Sequence, residues 1–115
     1  MPLLALQTSS SLSNQQRHEL LAPLSRIVAE CIGKPERYVM VTIDQTAMLM
    51  GGVEGPAAYA EIRSIGGLSG EVNRTLSERV CALLHEQLGI PPDRIYLGFT
   101  SVAATHWGWN GGTFG

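Results

Sequence analysis

The sequence lacks several features on which common functions depend. Its 115 residues contain no run of Lys or Arg, and the formal net charge is −2. Because binders of nucleic acids and anionic membranes usually concentrate basic residues, we expect neither kind of partner. No apolar stretch approaches the roughly 20 residues that span a bilayer, and no basic region precedes an apolar one at the N-terminus. We therefore expect a cytoplasmic protein, or one secreted by a non-classical route.

Cysteine and histidine are also scarce. The two cysteines, Cys31 and Cys81, form no Cys-X-X-Cys pair, which excludes a dithiol redox centre and a zinc knuckle of that type. Both fall at apolar helical positions, which favours buried thiols. The three histidines, His18, His85 and His106, lack the spacing of metal ligands, and we expect the first two on helix surfaces. We predict neither a metal nor a cofactor.

The two halves of the sequence resemble each other. A chain of this length suits one domain over residues 1–115. Motifs of the first half return about 56 residues later: Ser11-Leu12-Ser13, Gly33 and Pro35-Glu36-Arg37 match Gly67-Leu68-Ser69, Gly89 and Pro92-Asp93-Arg94. Each half has an apolar stretch, an amphipathic helix, a Gly-Pro turn and a second apolar stretch. The order strand, helix, strand is thus predicted twice.

Serine and glycine mark the bounds of the two predicted helices. The first helix is expected to begin near Ser13 and to end at Gly33, and the second to run from Ser69 to Gly89. Each carries apolar residues at helical spacing. An interior proline removes an amide donor and crowds the preceding turn, so Pro23 predicts a kink or a late start in the first helix.

Four strands are predicted, over residues 3–7, 38–44, 57–64 and 94–100. Alternation gives each strand two faces, and the apolar face that can pack on the helices carries Val39, Val41, Ile43, Ile95, Leu97 and Phe99. We predict an α+β fold in which two pseudo-symmetric β-α-β units form a four-stranded mixed sheet with two helices on one face. The other face carries Met40, Tyr59 and Tyr96 and favours self-association. Short apolar segments at 48–50 and 107–109 are expected as extra strands for subunit contacts.

Pro2 is a candidate catalytic base. It follows the initiator methionine, and a small second residue favours methionine removal, which would leave a secondary amine tethered by the strand that follows. An apolar site and a nearby cation would lower the pKa of this amine from its usual value of about 8, so that it could take protons from carbon near neutral pH. Alternatively, Pro2 serves only processing or begins an edge strand.

Several short motifs are informative through their joint order and spacing. They are Met-Pro at the start, Gly33-Lys34-Pro35, Ser64-Ile65-Gly66, Asn73-Arg74, Pro92-Asp93-Arg94-Ile95-Tyr96, Gly108-Trp109-Asn110 and Thr113-Phe114. Over essentially its full length, the chain resembles the macrophage migration inhibitory factor and D-dopachrome tautomerase family.

The resemblance implies a homotrimer with active sites between subunits and keto-enol tautomerisation of small phenylpyruvate-like aromatic α-keto acids. It gives Pro2 the role of base, and Lys34 that of the cation that binds the substrate carboxylate and lowers the proline's pKa. The backbone amide of Ile65 becomes a second donor to the substrate's oxygens, and Tyr96 reaches the site from the adjacent subunit. Residues expected to form apolar pocket walls are Leu3, Tyr38, Trp107, Trp109 and Phe114.

Other interpretations of these residues stay open. Lys34 could be an ordinary solvated lysine, Tyr96 a simple subunit contact, and the aromatic residues plain packing. The alternative function is a cytokine-like or other binding protein that acts through its trimer surface and keeps a relic pocket, because a fold does not determine function. A purely structural trimer would explain the core but not Lys34 together with the terminal amine.

Three sites depart from the family pattern. Gly98 replaces an asparagine, which removes the amide expected to recognise a ring hydroxyl. Trp107 replaces a smaller residue, which predicts a narrower or differently shaped pocket. Ala57 and Ala60 replace a pair of thiols, which excludes a dithiol oxidoreductase activity.

Overall fold

The chain forms two similar β-α-β units followed by a short hairpin. A computed structural model describes all 115 residues. In chain order the elements are β1 (Pro2–Thr8), α1 (Asn14–Ile32), β2 (Met40–Gln45), β3 (Ala58–Ser64), α2 (Gly70–Leu88), β4 (Ile95–Ser101), β5 (Gly108–Trp109) and β6 (Gly112–Thr113). The predicted α+β class and the doubled order of strand, helix and strand are confirmed.

One mixed sheet joins the two units, with strand order β2-β1-β3-β4. Within each unit the two strands are parallel, whereas the central strands β1 and β3 are antiparallel. In the register of this central pair, Pro2 lies opposite Ser64 and Thr8 lies opposite Ala58. The beginning of β1 therefore meets the ends of β3 and β4 at one edge of the sheet.

Both helices begin and end as the sequence predicts. The Ser13 hydroxyl accepts a hydrogen bond from the Gln16 amide (3.1 Å), and the Gln16 side chain accepts one from the Ser13 amide (2.9 Å), which forms a capping box. The Ser69 hydroxyl caps α2 in the same way, accepting from the Val72 amide at 3.1 Å. Gly33 and Gly89 end the helices with φ of 76° and 68°, a left-handed conformation that favours glycine.

The predicted late start of the first helix is wrong. The helix begins at Asn14, directly after its cap, and Pro23 lies inside it. Leu20 and Leu24, on either side of the proline, are fully buried. Burying one such side chain stabilises the fold by about 1.5–3 kcal/mol, and the capping box adds to this. These contributions offset the single amide donor that Pro23 lacks.

Three strands begin later than predicted, β3 by one residue and β2 and β4 after a 3₁₀ turn. A 3₁₀ turn at Glu36–Tyr38 precedes β2, and the amide of Val39 donates to the Glu36 carbonyl at 2.9 Å. A second turn at Pro92–Arg94 precedes β4. The backbone amides of each turn donate to carbonyls within the turn. A strand that began at residue 38 or 94 would instead have directed these amides to the adjacent strand.

The helices cover only one face of the sheet. Leu4, Leu6 and Ile62 point from the central strands into the core, where they join residues of both helices. The predicted apolar face of the outer strands packs against this core, as expected. On the opposite face, the side chains of Met40 and Tyr96 are 63% and 65% exposed. No element of the chain covers that face.

The two predicted extra strands differ in outcome. Residues 107–109 contribute β5, which pairs with β6. Residues 48–50 contribute only an isolated bridge between Met50 and Val53. Arg94 holds this loop through hydrogen bonds that its guanidinium donates to the carbonyls of Pro56 (2.8 Å) and Val53 (2.9 Å). No helix combines the length and apolar character needed to cross a membrane.

Candidate active site

A cleft of about 550 Å³ opens at the sheet edge where β1 begins. This volume is within the usual range for small-molecule sites, about 300–1,000 Å³. The cleft includes the proposed base and all five predicted wall residues: Pro2, Leu3, Tyr38, Trp107, Trp109 and Phe114. The fold brings these residues together, because the segment after β4 crosses the end of the sheet at which β1 begins. The Val102 amide fixes that segment by donating to the Ser64 carbonyl at 2.9 Å.

The aromatic wall of the cleft is ordered by the C-terminal hairpin. Asn110 and Gly111 turn the chain with φ of 50° and 79°, the positive values that a two-residue Asn-Gly hairpin requires. The turn directs Trp109 onto its neighbours. Its ring stacks on Phe114 with centroids 5.5 Å apart and meets Tyr38 edge-on at 6.1 Å. Such arrangements stabilise aromatic pairs by about 0.5–1.5 kcal/mol beyond area burial.

The terminal amine lies at this cleft. Met1 precedes Pro2 in the structure, so the Pro2 nitrogen belongs to a peptide bond and the free amine is that of Met1. Partial burial lowers the pKa of this amine below its ordinary value, and the positive charge of Lys34 lowers it further. Both effects disfavour the charged form. Pro2 itself is fully buried at the start of β1.

Lys34 and Ile65 lie beside the cleft but do not line it. Lys34 is the only lysine of the chain and is half-buried. A Cβ at Gly67 would lie 2.6 Å from the Ile32 side chain, so the glycine leaves room for Ile32, and the same Cβ would be in ordinary contact with Cε of Lys34 at 3.7 Å. Ile65 directly follows Ser64, the register partner of Pro2.

Tyr96 lies far from Pro2 in the same chain. It pairs with Tyr59, which in turn pairs with Gln7, five residues along β1 from Pro2. At about 3.3 Å per residue, this register separates the two sites by roughly 17 Å along the strands, and β4 lies two strands away from β1. Tyr96 instead lines a second cleft, of about 410 Å³, together with Met50. Only the Tyr96 of another copy could reach the cleft at Pro2.

The sequence interpretation missed the basic residues of the first cleft. Arg37, Arg63 and His106 line it, whereas no Asp or Glu does. Arg37 had a usable signal, since it directly precedes a predicted wall residue, whereas Arg63 enters the cleft through its register with Leu3, which only the structure gives. The other residues that were not predicted are Met1, Val39, Met40, Val102 and Gly108. No group of three or more His, Cys, Asp or Glu side chains comes together in the structure.

Because Gly98 has no side chain, there is space for a polar cluster on the open face of the sheet. A Cβ at this position would lie 2.7 Å from the Tyr59 hydroxyl and 2.9 Å from Oε2 of Glu61. The Tyr59 hydroxyl donates to Glu61, and the Thr100 hydroxyl donates to the same carboxylate at 3.1 Å. The bond from Tyr59 is the main reason why the pKa of Glu61 is lowered and that of Tyr59 raised.

Comparison with known proteins identifies the family. The profile of macrophage migration inhibitory factor (MIF) matches residues 1–115. The MIF of Meriones unguiculatus is 36% identical over 115 residues, 99% of each chain, and the MIF homologue of Brugia malayi is 35% identical over 116 residues, 100% of each. The crystal structure of an MIF homologue from Prochlorococcus marinus superposes with a TM-score of 0.93 at 44% identity, covering 98% of this chain and 99% of that chain. This chain therefore belongs to the macrophage migration inhibitory factor family.

Proposed function

We propose that this protein catalyses keto-enol exchange of phenylpyruvate-like α-keto acids, with the amine of Pro2 as the base. The observation that carries the proposal is the position of the chain's free amine, that of Met1, at the aromatic-walled cleft next to Pro2, where burial and Lys34 lower its pKa. Membership of the MIF family supports a tautomerase or cytokine-like role in general terms. The substrate, the base and their geometry are our own inference.

The proposed reaction needs only one proton-carrying group. Removal of Met1 would leave a secondary amine on Pro2, where an apolar site and the charge of Lys34 would both disfavour the charged form. In the direction from keto to enol, this amine takes a proton from the carbon next to the carbonyl. The electrons of the broken C–H bond form the C=C bond, and the carbonyl oxygen receives a proton in return, so that atoms and charge balance. A base of matched pKa contributes about 10²–10⁴-fold to such a step.

Substrate binding uses the charge and the aromatic wall around the base. Lys34 would pair with the carboxylate, and the backbone amide of Ile65 would donate to an oxygen of the substrate. The ring of the substrate would pack against the wall that Trp109 forms with Tyr38 and Phe114. Donors fixed in advance at a developing enolate are often a large catalytic contribution.

A homotrimer would complete each site. The open sheet face, with its exposed Met40 and Tyr96, and the unpaired edges of β2 and β4 are surfaces that a second copy can cover. Since Tyr96 lies about 17 Å along the strands from Pro2 of its own chain, its proposed contribution to the site requires a neighbouring subunit.

Enol-keto exchange of phenylpyruvate tests the proposal. We expect catalysis above the buffer rate by protein whose intact mass shows that it begins at Pro2. The matched control is the same chain with one residue added before Pro2, which makes the proline nitrogen an amide and should return the rate to that of buffer. A buffer rate from folded, oligomeric protein that begins at Pro2 would reject the proposal.

A second candidate is a cytokine-like protein that acts by binding. It is favoured by large apolar side chains on the surface, among them Leu49 and Val53, which are 65% and 58% exposed. Such residues often mark interaction sites. A Pro2→Gly variant that loses tautomerase activity but keeps an effect on responding cells would separate this function from catalysis.

A further inference from the structure

The first cleft is lined by basic side chains, in contrast to the protein as a whole. The whole chain is slightly acidic, with ten Asp and Glu against eight Lys and Arg. The cleft nevertheless contains the guanidinium groups of Arg37 and Arg63 and the imidazole of His106, and no carboxylate. Lys34 adds a further charge at its border. Since the proposed function assigns the one carboxylate of a monoanionic substrate to Lys34, such a substrate leaves Arg37 and Arg63 without a ligand group.

Arg37 is an exposed cation that stacks on the cleft wall and has no carboxylate partner. Its guanidinium carbon lies 4.8 Å from the ring centroid of Tyr38, a cation–π contact. Tyr38 in turn packs edge-on against Trp109. The two ion pairs of the chain join Arg63 to Glu61 and Arg79 to Glu30, so no carboxylate neutralises Arg37. Its planar fork of donors suits a carboxylate, which can accept two parallel hydrogen bonds.

Arg63 is less suited to hold a ligand. Its Nε lies 3.6 Å from Oε1 of Glu61, and its side chain is 55% exposed. Its charge is therefore partly compensated within the chain, whereas the charge of Arg37, which is also exposed, meets no carboxylate. Of the two arginines in the cleft, Arg37 is the one whose charge is available.

We propose that the natural substrate is a dicarboxylate, namely an aromatic α-keto acid with a second carboxylate on or beyond its ring, which Arg37 binds. This inference rests on the proposed function, since it assigns the first carboxylate to Lys34 and the ring to the aromatic wall. A volume of about 550 Å³ is large enough for a ring with an acidic group at each end. The stacking of Arg37 on Tyr38 places the second carboxylate at the end of the wall.

Ligands that cannot be turned over test this assignment without depending on catalysis. We would measure binding of 4-carboxycinnamate and of cinnamate by isothermal titration calorimetry. Charge-assisted hydrogen bonds of this kind should make the dicarboxylate bind at least about tenfold more tightly. Arg37→Gln should reduce this preference to about one, while Arg37→Lys should retain part of it because the charge remains but the fork does not. The matched control is Arg26→Gln, which removes an exposed charge of α1 that does not line the cleft.

The outcomes separate this inference from the proposed function. Equal affinity for the two ligands, or a preference that survives Arg37→Gln in a folded variant, would overturn the dicarboxylate assignment even if phenylpyruvate is turned over. A preference lost only in Arg37→Gln would support it even if no tautomerase activity is found. As a kinetic check, the ratio of kcat/KM for 4-carboxyphenylpyruvate to that for phenylpyruvate should exceed about ten and should fall in Arg37→Gln.

Discussion

The two β-α-β units are alike in the order and length of their elements and different in chemistry. Their helix caps Ser13 and Ser69 are 56 residues apart, as are Gly33 and Gly89. The residue after the terminal glycine is the half-buried Lys34 in the first unit but the fully buried Ile90 in the second. The same backbone position therefore holds a cation in the first unit and an apolar side chain in the second. Only in the first unit does this position lie near an amine.

The first strands of the two units differ in the same sense. Pro2 opens β1, next to the free amine of the chain, whereas its counterpart Ala58 opens β3 in mid-chain and carries no titratable group. The duplicated backbone therefore accounts for the fold, and the position of the chain terminus accounts for the candidate site. Substitutions at paired positions can test this division.

The largest expected effect is on catalysis, at the paired positions Pro2 and Ala58. Pro2→Gly keeps an amine but removes the ring that fixes it, so we expect kcat/KM for phenylpyruvate to fall by as much as about 10²–10⁴-fold. Ala58→Gly makes an equally small change in β3 and should alter kcat/KM by less than about twofold. Full activity in Pro2→Gly, with intact mass confirming the new first residue, would contradict the role of Pro2 as base.

The next effect is on stability, at the paired core positions Leu20 and Leu76. Both side chains are fully buried, one in each helix. Each change to alanine should lower the free energy of unfolding by about 2–5 kcal/mol through lost burial and a residual cavity. Denaturant unfolding at one fixed protein concentration would compare them, since oligomerisation makes stability depend on concentration. A loss confined to one helix would show that the two units are not equivalent in the core.

A smaller effect is expected at Lys34. Its charge helps to lower the pKa of the terminal amine, although burial has the greater influence. Only the uncharged amine can act as a base, so activity rises with pH through this pKa. Lys34→Ala should therefore move the acidic limb of the pH-rate profile to higher pH and raise KM, while Lys34→Arg should keep the limb near its original position. If the acidic limb of the profile does not move in Lys34→Ala, the charge of the lysine does not influence the pKa of the amine.

The sequence was sufficient for the local features and insufficient for the contacts between distant segments. Serine caps, glycine ends and alternating strands are encoded within a few residues, so they could be predicted at Ser13 and Gly33. The place of Arg37 in the cleft depends instead on a 3₁₀ turn and on a hairpin that begins about 70 residues later in the chain. No local pattern encodes that proximity.

Pro23 illustrates the same limit and gives the smallest predicted effect. The local pattern predicted a kink or a late helix start, because it reflects the cost of proline without the burial of Leu20 and Leu24 that the full fold provides. The Glu19 carbonyl still lacks the amide donor that a helix normally supplies four residues later. Pro23→Ala restores this donor, and the resulting hydrogen bond stabilises the helix by about 1 kcal/mol. The substitution also relieves the crowding of the preceding turn. The greater freedom of the unfolded chain offsets about 0.4–1 kcal/mol of this gain. We expect a net gain of about 1 kcal/mol in the free energy of unfolding, measured beside Leu20→Ala. A destabilised Pro23→Ala would mean that α1 depends on its proline, which α2 does without.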